Sequence, residues 1–169
     1  MRRLVISVTF WVVTILTAFA QYPGMDLYVN DLYGVSKPCV SYLDKTEGNV
    51  TLFVFWKTCC PTNLSMIDSL IELKEEGEYS DKIKLVLVSV DDMKTSSRVL
   101  PIVKTKGWTE DVIIDSNMEL ARAMQVHIPP QWVAVNCDGR PVYRRKIMEG
   151  ESDSEYYYNE LIKQMSDEK

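Results

Sequence analysis

Asn49-Val50-Thr51-Leu52-Phe53-Val54-Phe55-Trp56 is β-branched or aromatic at nearly every position, and its apolar residues run on without alternating. A strand with apolar side chains pointing both ways needs cover on both faces, so it belongs inside a sheet with helices above and below. Directly after it stand Cys59, Cys60 and Pro61. From Pro61 the pattern turns helical, with Leu64, Ile67, Leu70 and Ile71 three and four apart and Gly77 near the end.

The same grammar continues along the chain. Ile83–Val90 reads as a second buried strand, finishing at Asp91-Asp92. Ser96 to Lys106 reads as a helix in which Pro101 is either an opening residue or a kink, and Gly107 breaks it. Val112-Ile113-Ile114 is a short strand, Asn117–Met124 a short helix, and Trp132–Val135 a strand. Asn136-Cys137-Asp138-Gly139 carries a hairpin signal, so Val142–Ile147 returns antiparallel. Glu151 to Met165 closes the chain as a helix with Tyr157, Leu161 and Met165 on one face. Residues 21–48 are polar and turn-rich, with extended segments expected at Leu27–Tyr33 and Cys39–Leu43. The order β-α-β-α-β-α-β-β-α predicts an α/β domain with a mixed central sheet flanked by helices, behind an N-terminal extension.

The first 20 residues stand apart. Arg2 and Arg3 precede an uncharged stretch from Leu4 to Ala20 that ends Ala18-Phe19-Ala20, the three parts of a secretory signal peptide. Residues 1–20 are therefore read as a cleaved leader and 21–169 as a single exported domain. Uncleaved, residues 4–20 would instead tether it to a membrane. Without the two leader arginines the chain holds 17 basic residues against 24 acidic, a net charge of −7. That balance gives no footing to a nucleic-acid surface. No glycine-rich loop follows a strand, and with His127 the sole histidine no metal site is expected. No cofactor is expected either.

The chemistry gathers at the junction of strand and helix. A cysteine just before a helix-opening proline faces unpaired backbone N–H groups and the positive end of the helix dipole. Both stabilise a thiolate and draw a thiol pKa from about 8.5 toward 7 or below. That position belongs to Cys60, and Cys59 lies one residue outside it.

Phe55-Trp56-Lys57-Thr58-Cys59-Cys60 resembles the Phe-Trp-Ala-Thr-Trp-Cys-x-x-Cys signature of thioredoxin-like proteins, above all the exported TlpA/ResA group. Phe55, Trp56 and Thr58 match, Cys59 replaces the second tryptophan, and Cys60 takes the nucleophile position. Downstream, Val126-His127-Ile128-Pro129-Pro130, a strand, and Asp138-Gly139 resemble that family's cis-proline loop and hairpin, with Pro130 as the cis-proline. The resemblance implies a thioredoxin fold and thiol–disulfide exchange with thiol- or disulfide-bearing proteins. Cys60 would be the nucleophile, Cys59 a helper, and Pro129, Pro130 and Trp56 substrate contacts. With the redox site decayed, the groove beside Pro130 would still accept an extended chain, with Trp56 and Trp132 as its contacts.

The departures bear on function. The resolving cysteine is replaced by Asn63, and the acids that relatives keep near the thiols are Val54 and Met66. Release of a mixed disulfide then falls to Cys59, to Cys39 or Cys137 if the fold brings them near, or to an outside thiol. A Cys59–Cys60 disulfide would strain the peptide bond between them. Three functions compete: an oxidoreductase, a scaffold with a decayed redox site, and a peroxidase. The last rests on Cys60-Pro61-Thr62, which resembles the peroxiredoxin Val-Cys-Pro-Thr-Glu motif. Its threonine and proline, three and seven residues before the cysteine, are Lys57 and Phe53 here.

Overall fold

The computed structural model describes residues 23–147 and 153–167. Residues 1–20 therefore lie outside the described residues. The elements are β1 (Tyr28–Asp31), β2 (Ser36–Pro38), β3 (Val50–Trp56), α1 (Pro61–Glu76), β4 (Ile83–Ser89), α2 (Val99–Lys106), β5 (Asp111–Ile114), α3 (Glu119–Ala123), β6 (Gln131–Asn136), β7 (Pro141–Lys146) and α4 (Ser154–Asp167). Seven strands form one sheet in the order β2-β1-β5-β4-β3-β6-β7. β3, β4 and β5 are parallel, while β6, β7, β1 and β2 join antiparallel. The mixed sheet flanked by helices is the architecture expected from the sequence.

β3 is buried at all seven positions, and the pleat divides its side chains between two cores. Leu52, Val54 and Trp56 pack with Met66, Ile67 and Leu70 of α1, Val99 and Val103 of α2, and Leu161 and Met165 of α4. Phe53 and Phe55 point the other way, into Leu120 and Ala121 of α3 and into Met25, Cys39, Tyr42 and Leu43 of the N-terminal segment. At roughly 1.5–3 kcal/mol for each fully buried apolar side chain, this double-sided burial is what anchors the strand carrying the cysteine loop.

Local differences have local causes. Cys39–Tyr42 is a 3-10 turn, not the extended segment expected, because its buried residues Cys39 and Tyr42 are three apart and both must face the core. Pro101 falls in the first turn of α2, where its missing N–H has no intrahelical acceptor to lose. Gly107 ends that helix at φ 72°, a left-handed conformation that favours glycine. In α4 both Tyr157 and Tyr158 are buried and Tyr156 is exposed. Glu151, the expected start of α4, lies outside the described residues.

Because β3, β4 and β5 run parallel, Trp56, Ser89 and Ile114 share one end of the sheet. At that end the loop carrying the cysteines, after β3, is tied to the loop after β4 through Thr58 and Asp91. Among the described residues no helix is long and apolar enough to cross a membrane.

Candidate functional site

The last residue of β3 is locked in place when Val90 N–H donates to the Trp56 carbonyl at 3.0 Å. The chain then turns through Lys57-Thr58-Cys59-Cys60, with Cys60 N–H reaching the Lys57 carbonyl at 3.4 Å. Cys60 is the N-cap residue of α1, extended at φ −111° and ψ 101°, and Pro61 is the first helical residue. Asn63 N–H donates to the Cys60 carbonyl at 3.0 Å, which closes the first turn. Cys59 is exposed and Cys60 half-buried, with their sulfurs 3.6 Å apart.

One residue of this site was not singled out from the sequence. Asp91, just beyond β4, is buried and accepts hydrogen bonds from Thr58 N–H at 2.9 Å, Thr58 Oγ1 at 2.6 Å and Ser89 Oγ at 2.9 Å. It ties the cysteine loop to the neighbouring strand. The signal was a carboxylate directly following a buried, largely apolar strand, a place where a charge survives only with donors to satisfy it. Asp91→Ala strands three donors, so we expect a loss of about 3 kcal/mol in urea unfolding.

The remaining cysteines cannot act at this loop. Cys39 is sealed in the second core, where burial, with the nearby Asp115 charge, pushes its thiol from an ordinary value near 9 up to about 12. Cys137 sits in the β6–β7 turn beside Asn136, which pairs with Val50, the first residue of β3. Cys60 follows the last residue of that strand, so the length of β3, about 20 Å, separates the two. The raised Cys39 value fixes the sign of an alkaline effect. Stability is full below about pH 9 and falls as pH rises toward 12, because the unfolded thiol ionises first. Urea midpoints should drop between pH 8.5 and pH 10.5, and Cys39→Ala should remove the early part of that drop.

The Pro129-Pro130 peptide bond is cis, as the resemblance implied for Pro130. Phe55 pairs with Gln131, so Pro130 lies one step beyond that pair, level with the end of β3. Its carbonyl accepts Ile147 N–H at 3.1 Å. The proline loop and the cysteine loop thus leave neighbouring strands at the same end of the sheet. Neither proline has an N–H, so an extended chain laid along this loop meets only acceptors here. His127 and Ile128 precede the prolines and are exposed.

Trp56 and Trp132 require a correction. Both are fully buried, Trp56 edge-on to Trp108 with centroids 5.4 Å apart and Trp132 edge-on to Tyr157 at 6.0 Å. They share the pleat direction of Leu52 and Val54, which aims them under α1, α2 and α4 and away from any incoming chain. They support the site from below.

Asn63, where the second thiol of a CxxC pair would stand, is 3% exposed, and its Nδ2 meets no acceptor among the described residues. Val54 and Met66 are buried and apolar. The carboxylate of this site is therefore Asp91, already engaged with the loop it holds. Met93 and Ile128, 86% and 57% exposed, add apolar surface on loops at this end.

The sequence matches no protein-family model and no curated protein. Among solved structures it is similar to a secreted Mycobacterium tuberculosis disulfide oxidoreductase homologous to Escherichia coli DsbE. The TM-score is 0.64 at 13% identity, over 82% of this chain and 96% of that one. It is similar also to an uncharacterized thioredoxin-like protein from Porphyromonas gingivalis, with TM-score 0.62, 21% identity, and 87% and 95% covered. A third likeness is to Xanthomonas campestris peroxiredoxin Q, with TM-score 0.67, 14% identity, and 84% and 93% covered.

Proposed function

From a chain that has the thioredoxin fold, we propose an exported thiol–disulfide oxidoreductase acting on thiol- or disulfide-bearing proteins through Cys60. One observation carries this reading: Cys60 is by position the N-cap residue of a 16-residue helix, its sulfur making no capping hydrogen bond, at the sheet end where the cis Pro129-Pro130 loop also emerges. There the helix N-terminus stabilises negative charge on sulfur. The thiolate attacks a substrate disulfide, one substrate sulfur bonds to Cys60, and the other leaves as a thiolate that takes up a proton. The substrate chain lies along the proline loop, and exposed Met93 and Ile128 offer it apolar contact.

The second step distinguishes this protein from a CxxC enzyme. Asn63 cannot attack the mixed disulfide, and Cys39 and Cys137 are out of play. Cys59, 3.6 Å from Cys60, and external thiols remain. A disulfide between adjacent residues strains the intervening amide, so the external thiol carries most of the release and Cys59 assists.

Incubating the reduced protein with oxidised glutathione and mapping the product by mass spectrometry tests the first step. Glutathione should be found on Cys60. Labelling confined to Cys59, or no labelling at either, would favour the scaffold reading that Asn63, Val54 and Met66 motivate. The likeness to peroxiredoxin Q keeps a peroxidase as the second reading. It predicts that peroxide converts Cys60 to a sulfenic acid far faster than it does an ordinary thiol.

A further inference from the structure

We propose that the adjacent thiols of Cys59 and Cys60 form a two-point clamp for a trivalent arsenical. This goes beyond disulfide exchange, because it needs neither a leaving thiol nor an electron transfer.

The spacing of the sulfurs selects the kind of centre. With metal–sulfur bonds of about 2.3 Å, sulfur–centre–sulfur angles of about 100–109° place the two sulfurs roughly 3.5–3.8 Å apart, whereas a linear arrangement needs about 4.6 Å. The observed 3.6 Å falls in the bent range. Pyramidal and tetrahedral centres fit; a linear two-coordinate ion does not.

Ligand count then separates the two that fit. Among the described residues no group of three or more His, Cys, Asp or Glu side chains is placed to hold a metal ion. A tetrahedral ion at Cys59 and Cys60 would have only half its positions filled by the described residues. An organic arsenical brings its own carbon substituent and needs only two sulfurs. Its coordination is complete with the residues present.

Access and rigidity agree. Cys59 is exposed and Cys60 half-buried. The loop is held on one side by the bonds from Thr58 to Asp91 and on the other by Pro61 opening α1. Little freedom is lost when the ring closes. Oxidation, by contrast, must draw the sulfurs from 3.6 Å to about 2.05 Å across a planar amide. A bridging atom leaves them where they stand. This pair is better built to be bridged than to be bonded.

The reaction balances without a co-reactant. Each sulfur forms one As–S bond, the oxide oxygen leaves as water with the two thiol protons, and arsenic stays trivalent. The full chain, reduced, would be treated with phenylarsine oxide, mapped by mass spectrometry, and challenged with rising 2-mercaptoethanol. The expected adduct has the mass of the reagent less one water and bridges residues 59 and 60. It should resist a monothiol concentration about 100-fold above that which strips Cys59→Ser or Cys60→Ser, and a dithiol should remove it. The double variant Cys39→Ser/Cys137→Ser should retain the adduct as the unaltered chain does.

Stripping of the unaltered chain at the same monothiol concentration as the single variants would overturn the clamp, as would loss of retention in the double variant. Glutathionylation measured on the same samples separates the two proposals. A chain that exchanges but does not retain the arsenical refutes the clamp alone, and one that retains it but does not exchange refutes the oxidoreductase alone.

Discussion

Cys60→Ser is expected to abolish reduction of a protein disulfide, by about a thousandfold or more, while Cys59→Ser lowers it by about twofold or less. The asymmetry follows from position. Cys60 is the N-cap of α1, where the first N–H groups of the helix and its dipole favour a thiolate. A serine hydroxyl there stays protonated at neutral pH and does not attack sulfur. Cys59 lies outside the cap on the exposed side of the turn, so its loss removes only an assisting thiol 3.6 Å away. Turnover would be followed with a dithiol reductant and a disulfide-bonded protein, and thermal unfolding would be compared to show that both variants keep the fold. Equal turnover in Cys60→Ser and the unaltered chain would remove Cys60 from the mechanism.

Asn63→Cys is expected to act in the opposite direction, raising turnover about tenfold or more. Residue 63 is the third residue of α1, one turn from the cap, and a cysteine pair at that spacing has Cα atoms within the 4.4–6.8 Å or so that a disulfide allows. The mixed disulfide on Cys60 would then be released within the molecule, at an effective thiol concentration no external reductant reaches. The oxidised variant should show a disulfide between positions 60 and 63 by mass mapping. A stability gain should accompany it. Asn63 is 3% exposed with an amide donor that has no acceptor among the described residues, so a small apolar thiol there should stabilise the domain by about 1–2 kcal/mol. Increased stability with unchanged turnover would mean that Cys60 does not form the mixed disulfide in the first place.

Features written into contiguous residues were legible in the sequence. The unbroken apolar run into Trp56, the proline after Cys60 and the Asp138-Gly139 hairpin each impose their geometry locally, and each is found in place. The proline loop was legible as well, and the cis bond lies at the expected residue. What escaped depends on register between distant segments. Asp91 holds Thr58 because β3 and β4 pair Trp56 with Ser89, a through-space relation that a single chain does not spell out. Large aromatics near a site suggest recognition, which is why Trp56 and Trp132 read as contacts in the sequence. Their pleat parity decides otherwise and turns both into core. Cys39–Tyr42 reads as extended from its residue types, while its two buried side chains three apart require a turn.

The proposed chemistry turns on a single sulfur being nucleophilic at neutral pH because of where it sits. The rate of Cys60 alkylation by iodoacetamide at pH 7, resolved by peptide mapping and set against free glutathione, tests this most directly. A rate about tenfold or more above glutathione is the predicted result. A Cys60 rate at or below that of glutathione would contradict it.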